Sequence, residues 1–413
     1  ILEQTIQALA NNKTQAADTL VLTEIMNESL WIICNACTAD KKELTILSQQ
    51  GVLELLKNAM IFCLSCTHVH LKDHLIASTN VVLWALCNFI GKDLAMRDDL
   101  LYRGVGTVVA QLFTCTTLDK DIITRLVWFC SNILRGPPYP NLEIANPYAA
   151  EACRLFPLID DNEEFDEECC WAMKHYLESQ VEQEQRIKNI VQAGVVPKLR
   201  KLITTGNRSL ELMRAVLRIF GHLSFGSTEL IDTFISEDIL RSLVILSTNE
   251  HWQISADALW ALSNYIVGSD RHRKMIPTGK LFVSLCSALI GAHSIQKINA
   301  LGVIFNYLVR TETDEIEQML RNNNELFNVL LLNLSDYEAH ILNKEVLKVI
   351  DRLLIVGEDL KSKNGGTNPV SYEFSKLAPV QHLEGLCNES KDREVHAMAE
   401  SILLKYFDVD FGN

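Results

Sequence analysis

Tryptophan is followed four residues later by asparagine at Trp31/Asn35, Trp84/Asn88, Trp128/Asn132 and Trp260/Asn264, each pair within an apolar stretch. An indole face attracts cations. A carboxamide carries both donors and an acceptor, enough to pair with the amide and carbonyl of a passing backbone. On a helix, residues four apart sit one above the other, so each indole and its carboxamide share a face. Core is not expected there, because an asparagine in apolar surroundings costs about 1 to 3 kcal/mol unless its polar atoms find partners. The series predicts a groove lined by Trp and Asn.

Carboxylates precede two indoles by three residues, Glu168 before Trp171 and Asp257 before Trp260. They share the Trp face, where they can receive a Lys or Arg head, or they belong to solvated helix surface. The pattern breaks mid-chain: Trp171 is followed by His175, and the next unit carries Arg218 with His222. Neutral imidazoles are expected there. The run Asp160-Asp161-Asn162-Glu163-Glu164-Phe165-Asp166-Glu167-Glu168 either concentrates basic peptides or is a solvated helix start favoured by the helix dipole.

Cys34-Asn-Ala-Cys37 lies inside the first Trp/Asn segment, and Cys63-Leu-Ser-Cys66 is followed by His68, His70 and His74. The second set has soft ligands at spacings resembling a zinc site. The competing reading is favoured, in which the cysteines extend an apolar helix from Leu53 and the histidines follow in a loop; no metal or other cofactor is expected. No Gly-rich phosphate loop, nucleophile elbow or His-Glu metal helix is present, so the chain is not read as an enzyme.

Repeating elements must position these residues. Trp84, Trp128 and Trp171 follow one another at 44 and 43 residues, and position 302, a glycine, follows Trp260 at 42. A unit at Arg218 divides the interval from Trp171 to Trp260 into 47 and 42 residues. The longest interval, 53 residues from Trp31 to Trp84, contains the Cys66 to His74 segment. Periods of about 40 to 47 residues with helical patterning mark armadillo or HEAT arrays. Each unit reads as a Trp/Asn helix, a polar break such as Gly226-Ser-Thr or Gly268-Ser-Asp, an apolar helix, a glycine turn such as Gln192-Ala-Gly194-Val-Val-Pro197, and a second apolar helix. The Lys361 to Asn368 stretch is expected as a flexible loop before a capping unit ending near Tyr406 and Phe407. The fold expected is all-α: a right-handed armadillo superhelix forming a single domain over residues 1–413, with about nine to ten repeats, the first incomplete, whose equivalent helices line a concave face.

A chain of 413 residues, 48% hydrophobic, exceeds one globular core. With 52 acids against 38 bases, a net charge of -14 disfavours nucleic acid and suits a basic polypeptide. The absence of an apolar run of about 18 residues and of a signal segment predicts a soluble chain with no membrane partner. The twelve cysteines are expected to be reduced core thiols. Since Ile1 is not Met, further residues are expected before it.

Three segments together resemble the third, fourth and seventh repeats of importin-α, the armadillo adaptor that carries nuclear localisation signals. They are Trp84-Ala-Leu-Cys-Asn88 with Arg97-Asp98 downstream, Trp128-Phe-Cys-Ser-Asn132-Ile-Leu-Arg135-Gly-Pro-Pro-Tyr-Pro140, and Trp260-Ala-Leu-Ser-Asn264. The Arg-Gly-Pro-Pro-x-Pro loop is the most specific part, and Leu347 to Glu358 with the Tyr406-Phe407 ending is similar to the family's last repeats. The resemblance implies a nuclear import adaptor that shuttles between cytoplasm and nucleus, with importin-β, the nuclear export receptor and basic cargo signals as partners. In that family an extended lysine-rich peptide lies along the groove, its Lys stems held between neighbouring indoles. Carried over, the major site comprises Trp31, Asn35, Trp84, Asn88, Trp128, Asn132, Glu168 and Trp171, and the minor site Arg218, Asp257, Trp260, Asn264 and Asn306.

Several positions depart from the family. Ala39, Leu44 and Lys92 stand where it has Gly, Thr and Asp around its most selective lysine pocket, with Asp93 a partial substitute for the missing acid. Gly302 and Asn299 replace a Trp and an acid at the minor site, which is therefore expected to be weak. The Lys/Arg-rich segment that recruits importin-β and self-inhibits the groove in that family is not among the residues from Ile1 onward. The other reading is a different armadillo scaffold with a non-import protein partner; such scaffolds commonly present a basic concave face.

Overall fold

A computed structural model describes residues 1–10, 16–115, 118–159, 162–205 and 208–407. Among them every regular element is a helix. The chain forms two compact units, Ile1–Lys198 and Leu199–Asn413. In the first, the helices bearing the indoles are α1 (Ala16–Ala36), α2 (Lys72–Gly91), α3 (Lys120–Leu134) and α4 (Glu163–Glu178), each packed on the next. In the second, α5 (Leu210–Leu223), α6 (Trp252–Val267), α7 (Ser294–Arg310), α8 (His340–Asn364) and α9 (Arg393–Tyr406) pack in the same order. Shorter helices precede each of these, as Lys41–Gln49 and Val52–Ser65 do before α2. This triplet is the armadillo unit that the period predicts.

Local chemistry explains where the helices stop and start. The turn between the two shorter helices needs a left-handed residue, supplied by Gly51 (φ 84°), Gly104 (φ 71°) and Gly194 (φ 75°). Ser227 and Ser269, in the predicted polar breaks, accept hydrogen bonds from Leu230 N and His272 N. Asp119 caps α3, Asn162 caps α4 and Ser209 caps α5 in the same way. The face of each long helix turned toward its own unit is apolar: α3 buries Ile122, Leu126, Val127, Phe129, Ile133 and Leu134, worth about 1.5 to 3 kcal/mol per large side chain before entropy is subtracted.

The loop after α3 is tied down by two buried arginines. Arg97 donates to the carbonyls of Arg135 and Pro138, and Arg186 donates to those of Pro140, Tyr176 and Val181. Each guanidinium satisfies several carbonyls that a loop cannot pair internally.

Two expectations need correction. The Cys66 to His74 segment is mostly not loop: α2 begins at Lys72, so His74 is helical, and Val69–Leu71 forms a single 3-10 turn. The flexible stretch at Lys361 is shorter than predicted. Lys361 to Asn364 continue α8, and the break is confined to Gly365 (φ 74°), Gly366 (φ 89°), Thr367 and Asn368. Around Leu71, burial in the core outweighs polar composition, whereas Lys361 to Asn364 are exposed and continue α8 with Lys361 paired to Glu358 and Lys363 to Asp314. The segment Val69–Gly91 is long and apolar enough to cross a membrane by composition, yet 56% of its most apolar window is buried inside the protein.

Candidate functional site

The indoles of the first unit lie on successive long helices and remain partly exposed, Trp31 the most at 41%. They are not separated by open slots. The Trp31 and Trp84 ring centroids are 5.2 Å apart, edge to face. A lysine stem held between two rings needs roughly 7 to 8 Å, twice a van der Waals contact. Beyond Trp84 the space is taken by Arg125, whose guanidinium carbon lies 4.3 Å from the Trp84 centroid and 5.7 Å from that of Trp128. Lys174 covers Trp171, with Nζ 5.1 Å from the centroid. The spacing predicts indoles free to flank a peptide lysine; in the structure each is engaged by an internal ring or cation.

The asparagines are half structural. Asn88 Nδ2 donates to the Cys34 carbonyl at 3.5 Å, on the preceding long helix, and Asn132, buried at 6% exposure, donates to Trp128 O at 3.2 Å. Asn35 is exposed. A carboxamide has two N–H donors and an acceptor, so one bond to a neighbouring helix leaves capacity for a ligand where solvent reaches it.

Glu168 is half-buried beside Ser131, and burial together with Glu167 and Glu164 raises its pKa to about 7, against a lowering hydrogen bond from Ser131. Among the described residues it has no cationic partner. One turn past Trp171, His175 is kept neutral chiefly by burial, although Glu178 accepts from it at 3.1 Å. Glu178 itself is held down at about 2: burial opposes this, but hydrogen bonds from His175 and Lys174 prevail. Asp160 and Asp161 lie outside the described residues; Glu163 to Glu168 form the first turns of α4.

At the altered pocket, Leu44 is fully buried in the core, where it cannot serve a ligand as a threonine hydroxyl would. Lys92 is exposed. Asp93 is not a free substitute acid, since it pairs with Lys41 at 2.6 Å and caps the next helix through Ala95 N.

In the second unit, Trp260 packs against α5: its ring fills the space where Gly221 lacks a Cβ, and His222 meets it edge on at 5.1 Å. Arg218 lies over the same ring at 5.1 Å, and its Nε is 2.6 Å from Asp257. Asn264 donates to Gly221 O at 3.2 Å, Asn306 to Ser263 Oγ at 2.9 Å, and Asn299 to Ala256 O at 2.8 Å. The residues expected at the minor site thus come together, with Asp257 already paired to Arg218 and, at 3.2 Å, to Arg214.

Arg125 and Lys174 were not singled out by spacing. Their signal is positional: each stands three residues from a tryptophan, and hence on its face. All twelve cysteines are free and nine are buried. Among the described residues no three His, Cys, Asp or Glu side chains gather to hold a metal ion.

The curated relatives that match are importin α subunits. Importin subunit alpha-1b of Oryza sativa subsp. japonica is 23% identical over 239 residues, 57% of this chain and 41% of its own length. Importin subunit alpha-9 of Arabidopsis thaliana is 22% identical over 355 residues, 80% of this chain and 63% of its own. The matches thus span less than two thirds of these relatives. Among solved structures, an engineered protein superposes with a TM-score of 0.65 at 18% identity, covering 98% of both chains. No family model matches. The fold is that of armadillo-repeat proteins, and the sequence is similar to importin α at low identity.

Proposed function

We propose that the chain is a nuclear import adaptor that holds extended Lys/Arg-rich signals of cargo proteins along the Trp/Asn faces of its long helices. The observation that carries this is Glu168: a partly exposed carboxylate in the indole register, crowded by Glu164 and Glu167 and without a cationic partner among the described residues. An incoming ammonium relieves that crowding and can use the neighbouring rings. Similarity to importin α supports importin-β and the nuclear export receptor as further partners, and shuttling between cytoplasm and nucleus. The test is fluorescence anisotropy with a lysine-rich peptide across a salt series. Binding that weakens as salt screens the charges supports the reading; equal binding of an acidic peptide of the same length overturns it.

A second reading, a scaffold for an acidic protein segment, draws on exposed Lys92 and on the Arg125 guanidinium. Tighter binding of the acidic peptide in the same assay would favour it.

A further inference from the structure

Among the described residues, three of the protein's own cations lie over indoles of the long helices, and they are not equivalent. Lys174, over Trp171, is neutralised by Glu178 at 2.6 Å. Arg218, over Trp260, is neutralised by Asp257 at 2.6 Å. Among the described residues, Arg125, against Trp84 and Trp128, has no carboxylate partner and its guanidinium has no hydrogen-bond acceptor; its backbone carbonyl accepts from the Cys87 thiol at 3.6 Å. The register shows the same inversion. Arg125 stands three residues before Trp128, where Glu168 and Asp257 stand before Trp171 and Trp260.

A guanidinium packed against rings keeps its edge, with five N–H donors in a planar fork, for an acceptor. In a half-buried position such a fork binds a carboxylate in bidentate fashion more strongly than it would in open water. Resting on the peptide-groove reading, we propose that the slot formed by Trp84, Arg125 and Trp128 is a subsite for an acidic side chain, so that the peptide held in this groove carries an Asp or Glu among its basic residues.

The test uses a fluorescent lysine-rich peptide and a set in which each lysine in turn is replaced by glutamate, titrated against the parent protein, Arg125→Gln and Arg125→Lys. The expected result is one glutamate position that binds the parent about fivefold tighter than the all-lysine peptide. That preference disappears in Arg125→Gln and is reduced in Arg125→Lys, which keeps the charge but loses the fork. If every glutamate weakens binding and the ranking is the same in Arg125→Gln, the subsite is overturned while the groove stands. If no peptide of the set binds, the groove reading falls, and the subsite with it. Matching melting curves for the three proteins exclude misfolding.

Discussion

The carboxylate of Asp257 closes on Nε of Arg218 at 2.6 Å, and Arg214 reaches it from the same helix at 3.2 Å. The acid that the spacing offers to a peptide cation is thus met by two cations from within, and one of them covers Trp260, the indole expected at the minor site. Arg218→Ala uncovers the Trp260 face and leaves Arg214 to compensate Asp257. We expect basic-peptide affinity at this site to rise about two- to tenfold, the scale of a cation over an exposed ring. Calorimetry against the parent decides, and weaker binding would mean that Arg218 itself contacts the peptide.

Glu168, with its pKa raised to about 7, makes binding depend on pH. At pH 6 the carboxyl is mostly protonated and a cationic ligand must displace that proton; at pH 8 it is already ionised. Affinity for a lysine-rich peptide should therefore increase from pH 6 to 8, by up to about tenfold, and Glu168→Gln should flatten the profile. Stability runs the other way. A carboxyl whose pKa rises on folding contributes fully below its unfolded value and loses that contribution as pH rises through about 7, so the glutamine variant gains on the parent between pH 5 and 8 in melting experiments.

Arg97 is expected to be structural. Its guanidinium is 2% exposed, bonds Pro138 O at 3.0 Å as well as Arg135 O, and pairs with Asp98 at 2.6 Å. Arg97→Ala strips both carbonyls of their donor and leaves a cavity where the side chain was buried, and should cost about 2 to 4 kcal/mol in urea unfolding. A loss under about 0.5 kcal/mol, typical of a surface change, would show that the proline loop holds itself.

Lys92 is exposed, while Asp93 is held by Lys41. Lys92→Asp therefore adds an exposed acid beside one that is already paired. Affinity for a lysine-rich peptide should rise about three- to tenfold at low salt and fall back at high salt. An unchanged affinity in anisotropy titrations would place Lys92 away from the bound peptide.

Much of this architecture was legible in the chain. The Trp/Asn spacing of four, a repeat of about 43 residues, the glycine turn at 194 and the serines at 227 and 269 are local signals, and they act locally: they start, stop and face helices whatever lies beyond. The face that carries Trp84 and Trp260 followed from periodicity alone. Whether that face is vacant did not. Asn88 finds its acceptor 54 residues away at Cys34, Asn264 finds Gly221 at 43, and Arg218 meets Asp257 across to the next long helix. Leu44 enters the core where a pocket hydroxyl was sought, and Arg125 lies between the rings of two helices. Periodicity sets which residues share a face, but the stagger and distance between packed helices decide which side chains meet across it, and those depend on the volumes of the cores beneath.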